Sequence, residues 1–108
     1  RVLREHPGET IIIVCSGSVD NFNLEDFYGA GYLVDLLSQR LGSRCDLTDS
    51  ALAAKTLFQP QRSRELLLSS RVGRMMIERD LVAEVEFAAE LSNTDVVPGL
   101  SGGVLRPV

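Results

Sequence analysis

The chain has one histidine, His6, and only two cysteines, Cys15 and Cys45, with no C-x-x-C spacing. That leaves little room for a Cys–His catalytic pair or a histidine-rich zinc site. A framework of one bridge would be unusual at this size, so the cysteines read as reduced thiols of a cytoplasmic protein. No apolar run approaches the roughly 20 residues that a membrane span requires, and no stretch reads as a signal peptide. There is no block of like charges, no low-complexity tract and no internal repeat. Net charge is −4 and the pI about 4.9. Nonspecific nucleic-acid binding needs a basic face to displace counterions, and this balance argues against it. At 108 residues the chain is one domain at most. A chain of this size buries roughly 65% of its unfolded surface, enough for one sheet with helices packed on it.

What is present is organised around Thr10–Leu41. Five consecutive residues, Ile11-Ile12-Ile13-Val14-Cys15, are apolar and four of them are β-branched, which predicts a strand over Thr10–Cys15 covered on both faces. A polar loop, Ser16–Asn23, follows and then a long apolar helix opening at Leu24-Glu25-Asp26. In open α/β sheets ligands gather beyond the carboxyl ends of strands, so a site is expected between Ser16 and Asp26. Ser16, Gly17 and Ser18 suit a tight turn, with backbone N–H groups free to meet a ligand. Asn23 is a good N-cap with Asp26 three residues on, in a capping-box-like arrangement. Glu25 and Asp26 have two readings. Acidic groups favour the positive end of the helix dipole, and adjacent carboxylates beside a strand-end loop can also help hold Mg²⁺. Neighbours on a helix point about 100° apart, so one of the two is expected to face the site.

The helix runs to Leu41-Gly42, with Phe27, Ala30, Gly31, Val34, Leu37 and Leu41 on one buried stripe. Gly29 and Gly31 are expected to let it pack closely on the sheet. Asp46 reads as the N-cap of a second helix, Leu47–Gln59, ended by Pro60. Gln61–Arg79 is helical again, with a break near Ser69-Ser70 where a serine caps a new start. Its arginines, Arg62, Arg64, Arg71, Arg74 and Arg79, form a solvated face, from which one guanidinium could neutralise an anion. Asp80–Leu91 fits a helix better than a strand. Val96-Val97 and Val104-Leu105, with Pro98-Gly99 and Gly102-Gly103 between them, read as an edge or hairpin. At the other end, Arg1–Glu5 before Pro7-Gly8 reads as the last turn of a helix. That points to a piece of a longer chain, or else to a trimmed terminus.

Taken in order, these features resemble the C-terminal half of the 2-phosphosulfolactate phosphatase family. The resemblance is carried by Ile11–Gly17, Phe22-Asn23-Leu24-Glu25-Asp26, Tyr28-Gly29-Ala30-Gly31, Asp49-Ser50-Ala51, Gly73, and Phe87-Ala88-Ala89 running to Val96-Val97-Pro98. It implies an α/β fold: a sheet with parallel strands flanked by helices, part of a larger three-layer domain, with residues 1–108 a single portion of it. It also implies Mg²⁺-dependent hydrolysis of a small anionic phosphate ester, 2-phosphosulfolactate, on the route to coenzyme M. On this reading Glu25 and Asp26 contact the metal, Asp26 is the catalytic carboxylate, and Ser16, Gly17 and Ser18 bind the phosphate or sulfonate. The family's N-terminal motifs have no counterpart here, so association with such a half, or with a second copy, is expected. The competing readings are a noncatalytic α/β module packing on a partner chain and a small-anion binding domain.

Overall fold

The computed structural model describes residues 2–107, in the order α1 (Val2–Glu5), α2 (Leu24–Leu41), α3 (Asp49–Leu57), α4 (Ser63–Ser69), α5 (Arg71–Glu78), α6 (Val82–Ala89), β1 (Pro98–Ser101) and β2 (Val104–Pro107). Short 3-10 turns, Gly42–Arg44 and Pro60–Arg62, lead out of α2 and into α4. The described residues are therefore mostly helical, and the expected α/β fold with parallel strands is not what forms. Their one sheet is the antiparallel pair β1–β2, in register Pro98↔Pro107 to Ser101↔Val104. Gly102 and Gly103, both at positive φ (57° and 76°), close it with the backbone that two-residue hairpins favour.

The predicted strand Thr10–Cys15 forms no ladder. A run of β-branched residues records a preference for extended, covered backbone, but a strand also needs a partner strand to satisfy its N–H and C=O groups. No other described segment pairs with this one. Ile12 and Val14 are 80% and 82% exposed, and Ile11–Ile13 line a groove with residues of α2 and α3.

The helices follow their local signals. Asn23 Oδ1 accepts from Glu25 N (3.3 Å) at the start of α2, and Gly42 at φ 56° ends it. The second helix is capped by Thr48, whose Oγ1 accepts from Ala51 N (3.3 Å), two residues later than Asp46. The break near Ser70 is real: Ser70 ends α4 and caps α5.

Two glycines decide the packing. A Cβ on Gly31 would lie 2.2 Å from the Ala54 carbonyl oxygen, so α2 and α3 meet there backbone to backbone. Gly31 thus packs on a helix rather than on a sheet. A Cβ on Gly73 would lie 1.9 Å from the Leu67 oxygen, which sets the tight corner between α4 and α5. At the centre Tyr28 of α2, Leu67 of α4 and Val85 of α6 are buried together, with Phe58, Leu66, Leu68, Met76 and Ala89 around them. Burial of this kind contributes about 1.5–3 kcal/mol per large side chain. Tyr28 and Tyr32 each set a ring 5.2 Å from that of Phe58. Tyr28 Oη donates to the Gln59 carbonyl (3.0 Å), and Tyr32 Oη meets Ser92 Oγ at 2.7 Å.

The surface is large for the mass. The accessible area is 8274 Å², roughly 2,400 Å² more than the ~5,900 Å² of a typical folded monomer of this size. The radius of gyration is 15.4 Å, against about 13 Å for a compact domain of this length. Much of the excess is apolar: Ile12, Val14, Phe22, Phe87, Val96, Leu100 and Leu105 are all exposed.

Candidate functional site

The loop before α2 and the first turn of α2 form one structure. Ser18 and Asn21 exchange two backbone hydrogen bonds, each 3.1 Å, around Val19 and Asp20. Both central residues lie in the left-handed region, at φ 51° and 59°. Such a conformation costs about 1–2 kcal/mol for a residue with a side chain, and most for a β-branched one. Gly17, at φ 72°, has no room for a side chain either, because a Cβ would meet the Asn21 oxygen at 2.9 Å.

This folded loop delivers its donors to Asp26. Gly17 N–H donates to Asp26 Oδ2 (2.8 Å) and Ser16 Oγ donates to the same oxygen (3.1 Å). Two of the three residues expected to meet an anion are thus bonded to the acidic residue itself. Ser18 engages Asn21 through its backbone and is half-buried. Asp26 does not complete a capping box; it reaches back across nine residues instead of three.

Glu25 turns the other way. Its Oε1 is held by the hydroxyl of Ser70, 45 residues on, and Ser70 is 4% exposed. Ser70 also takes the Gly73 N–H (2.9 Å) as the cap of α5. Glu25 and Asp26, both half-buried, line one cavity of about 340 Å³ with Tyr28, Tyr32, Met76 and Glu84. Ser70 and Glu84 were not recognisable in the sequence as neighbours of this pair; the cap signal at Ser70 locates a helix start, not what faces it.

A larger groove, about 700 Å³, lies on the other side of α2. Ile11, Ile12 and Ile13 form one wall, and Phe27, Val34 and Ala54 face them. Of the predicted α2 stripe, Ala30, Gly31 and Val34 are buried, while Phe27, Leu37 and Leu41 are half-buried and line this groove. Cys15 and Cys45 both border it and are free thiols.

Among the arginines, Arg62 pairs with Glu65 (2.9 Å) and Arg64 with Glu86 (2.6 Å). The Arg62 guanidinium, through its hydrogen bond and charge, holds the Glu65 carboxyl below its ordinary value. Arg74 donates to the Ser69 carbonyl. Arg71, the first residue of α5, has no carboxylate partner among the described residues.

No group of three or more His, Cys, Asp or Glu side chains converges on a metal position among the described residues. Magnesium does not require one, since it is held by one or two carboxylates together with waters and substrate phosphates. The donor set fits that demand: two adjacent carboxylates, each with one oxygen fixed by a neighbour and the other without a hydrogen-bond partner among the described residues. Fixing one oxygen of a ligating carboxylate is also what the surroundings of metal sites generally do. No helix among the described residues is long and apolar enough to cross a membrane.

Comparison with known proteins gives a consistent picture. The chain is 34% identical over 88 residues to a probable 2-phosphosulfolactate phosphatase of Carboxydothermus hydrogenoformans, covering 82% of this chain and 36% of that protein. Proteins of the same name from Thermotoga petrophila and Gloeobacter violaceus are 34% and 32% identical, over 89% and 91% of this chain and 41% and 40% of theirs. The chain thus spans about two-fifths of the length of the curated relatives it matches. No solved structure matches it. A model of the 2-phosphosulpholactate phosphatase family matches residues 1–103, and the chain belongs to that family.

Proposed function

We propose that the protein containing this chain is a Mg²⁺-dependent hydrolase of a small anionic phosphate monoester such as 2-phosphosulfolactate, and that Glu25 and Asp26 belong to its site. The observation that carries this reading is the convergence of Gly17 N–H and Ser16 Oγ on Asp26 Oδ2. It supports the reading by joining a serine- and glycine-bearing loop to a half-buried carboxylate at the start of a long helix. Hydrolysis of a phosphate monoester requires charge stabilisation on three equatorial oxygens and an aligned nucleophile. Bound Mg²⁺ would supply positive charge that this net-acidic chain lacks. Asp26 and Glu25 would hold the ion by their second oxygens. Ser16 and Gly17 would keep Asp26 oriented, and Ser18 would offer its hydroxyl to a phosphate or sulfonate oxygen. The free thiols of Cys15 and Cys45 support a reducing, cytoplasmic setting. The route to coenzyme M is the corresponding biosynthetic context. The test is phosphate release from 2-phosphosulfolactate by the full-length protein, with Mg²⁺ and after chelation. Turnover that stops on chelation and returns with Mg²⁺ supports the reading; turnover indifferent to chelation removes the metal from it.

A second reading, a module that packs on further polypeptide, is favoured by the exposed Ile11, Ile12 and Val14 and the exposed hairpin. The surplus of roughly 2,400 Å² compares with the ~800 Å² per partner of a standard interface. Sedimentation of the isolated 108-residue chain tests it: association is expected, and a clean monomer at high concentration would overturn it.

A further inference from the structure

We infer that Ser70 is a positioning residue for the acidic pair, acting through Glu25; this deepens the metal-site reading above and rests on it. Ser70 is 4% exposed and its hydroxyl has three neighbours: it receives the Gly73 N–H (2.9 Å), and it faces both the Leu67 carbonyl (2.8 Å) and Glu25 Oε1. A serine has one proton to give. The Leu67 carbonyl already accepts from the Ser70 backbone N–H (3.2 Å), so the hydroxyl proton can go to Glu25 without orphaning it. A bond to an ionised carboxylate is the stronger of the two choices.

The position of that hydroxyl is set by backbone alone. Gly73 carries no Cβ, which lets the Leu67 carbonyl approach α5 to a distance no side chain would allow. The hydroxyl is thereby clamped between the end of α4 and the first turn of α5. Glu25, held by it, has one oxygen fixed and the other left for a ligand in the cavity it shares with Asp26. Simple capping of α5 needs only the Gly73 contact and does not account for a carboxylate brought from 45 residues away.

The experiment is a Mg²⁺ titration by calorimetry of the full-length protein and of the Ser70→Gly, Ser70→Thr, Glu25→Gln and Ser70→Gly/Glu25→Gln variants, with Asp26→Asn alongside. Glycine is a tolerable cap, so Ser70→Gly removes the hydroxyl at little cost to α5. It is expected to weaken Mg²⁺ binding about tenfold, as loss of a partner behind a metal ligand does. Ser70→Thr keeps the hydroxyl and retains the affinity, and it remains the informative variant should the glycine fail to fold. In the Glu25→Gln background Ser70→Gly adds no further loss, whereas a merely structural role would lower affinity in both backgrounds alike. Unchanged affinity in Ser70→Gly, equal losses in both backgrounds, or loss of affinity in Ser70→Thr with its fold intact would overturn the inference. If Asp26→Asn weakens binding and Ser70→Gly does not, the metal reading stands and only Ser70 falls. If Asp26→Asn changes nothing, the metal reading falls and this inference with it.

Discussion

Gly17 N–H lies 2.8 Å from Asp26 Oδ2, joining the loop to the first turn of α2 across nine residues. The bond exists because Gly17 can hold φ 72° where the Asn21 oxygen leaves no space for a Cβ. Replacing Gly17 by alanine therefore strains the backbone and displaces the donor together. We expect Gly17→Ala to cost about 1–3 kcal/mol in urea unfolding and to lower Mg²⁺ affinity. A variant as stable as the unaltered protein would show that the loop takes another course.

Gly29 and Gly31, two residues apart and so about 200° apart around α2, should respond with opposite sign. Gly31 abuts the Ala54 carbonyl, and alanine there should destabilise by about 1–3 kcal/mol through overpacking. Gly29 is exposed with nothing within 4 Å of a Cβ. Gly29→Ala should stabilise by up to about 1 kcal/mol through helix propensity alone. Chemical unfolding of both variants checks the pair; the same sign for both would contradict the α2–α3 packing.

Burial raises the Tyr28 phenol above its ordinary value of 10.0, with a Ser63 hydrogen bond opposing the shift. The folded state then keeps its proton at a pH where the unfolded chain gives it up. The stabilisation is complete below about pH 10 and is lost as pH rises through the higher folded value. Thermal unfolding between neutral and strongly alkaline pH should show a decline that Tyr28→Phe makes shallower. That substitution also removes the bond to the Gln59 carbonyl, about 1 kcal/mol at neutral pH. An unchanged alkaline slope would mean that Tyr28 is solvated.

The helices were legible in the sequence because their signals are local. Asn23, Ser70 and the Gly102-Gly103 pair each act within three or four residues, and α2, the α4–α5 break and the hairpin turn stand where those residues put them. The expected parallel sheet does not form. Ile11–Cys15 carries the composition of a covered strand, but pairing depends on a partner that composition does not contain, and here the run joins no ladder and is exposed except at Ile13. The contacts of the candidate site were half legible for the same reason. Glu25 and Asp26 announced themselves at a helix start, yet Asp26 suggested a cap by spacing and instead binds Ser16 and Gly17, while the Glu25–Ser70 contact joins residues with no local pattern between them.

The most direct measurement is the Mg²⁺ affinity and Mg²⁺-dependent phosphate release of the full-length protein carrying Asp26→Asn, an isosteric change that still offers Gly17 an acceptor. We predict a loss of about 10–100-fold in affinity or turnover, with the unfolding transition little altered. An Asp26→Asn protein that binds the metal and turns over substrate as the unaltered one does would contradict the account.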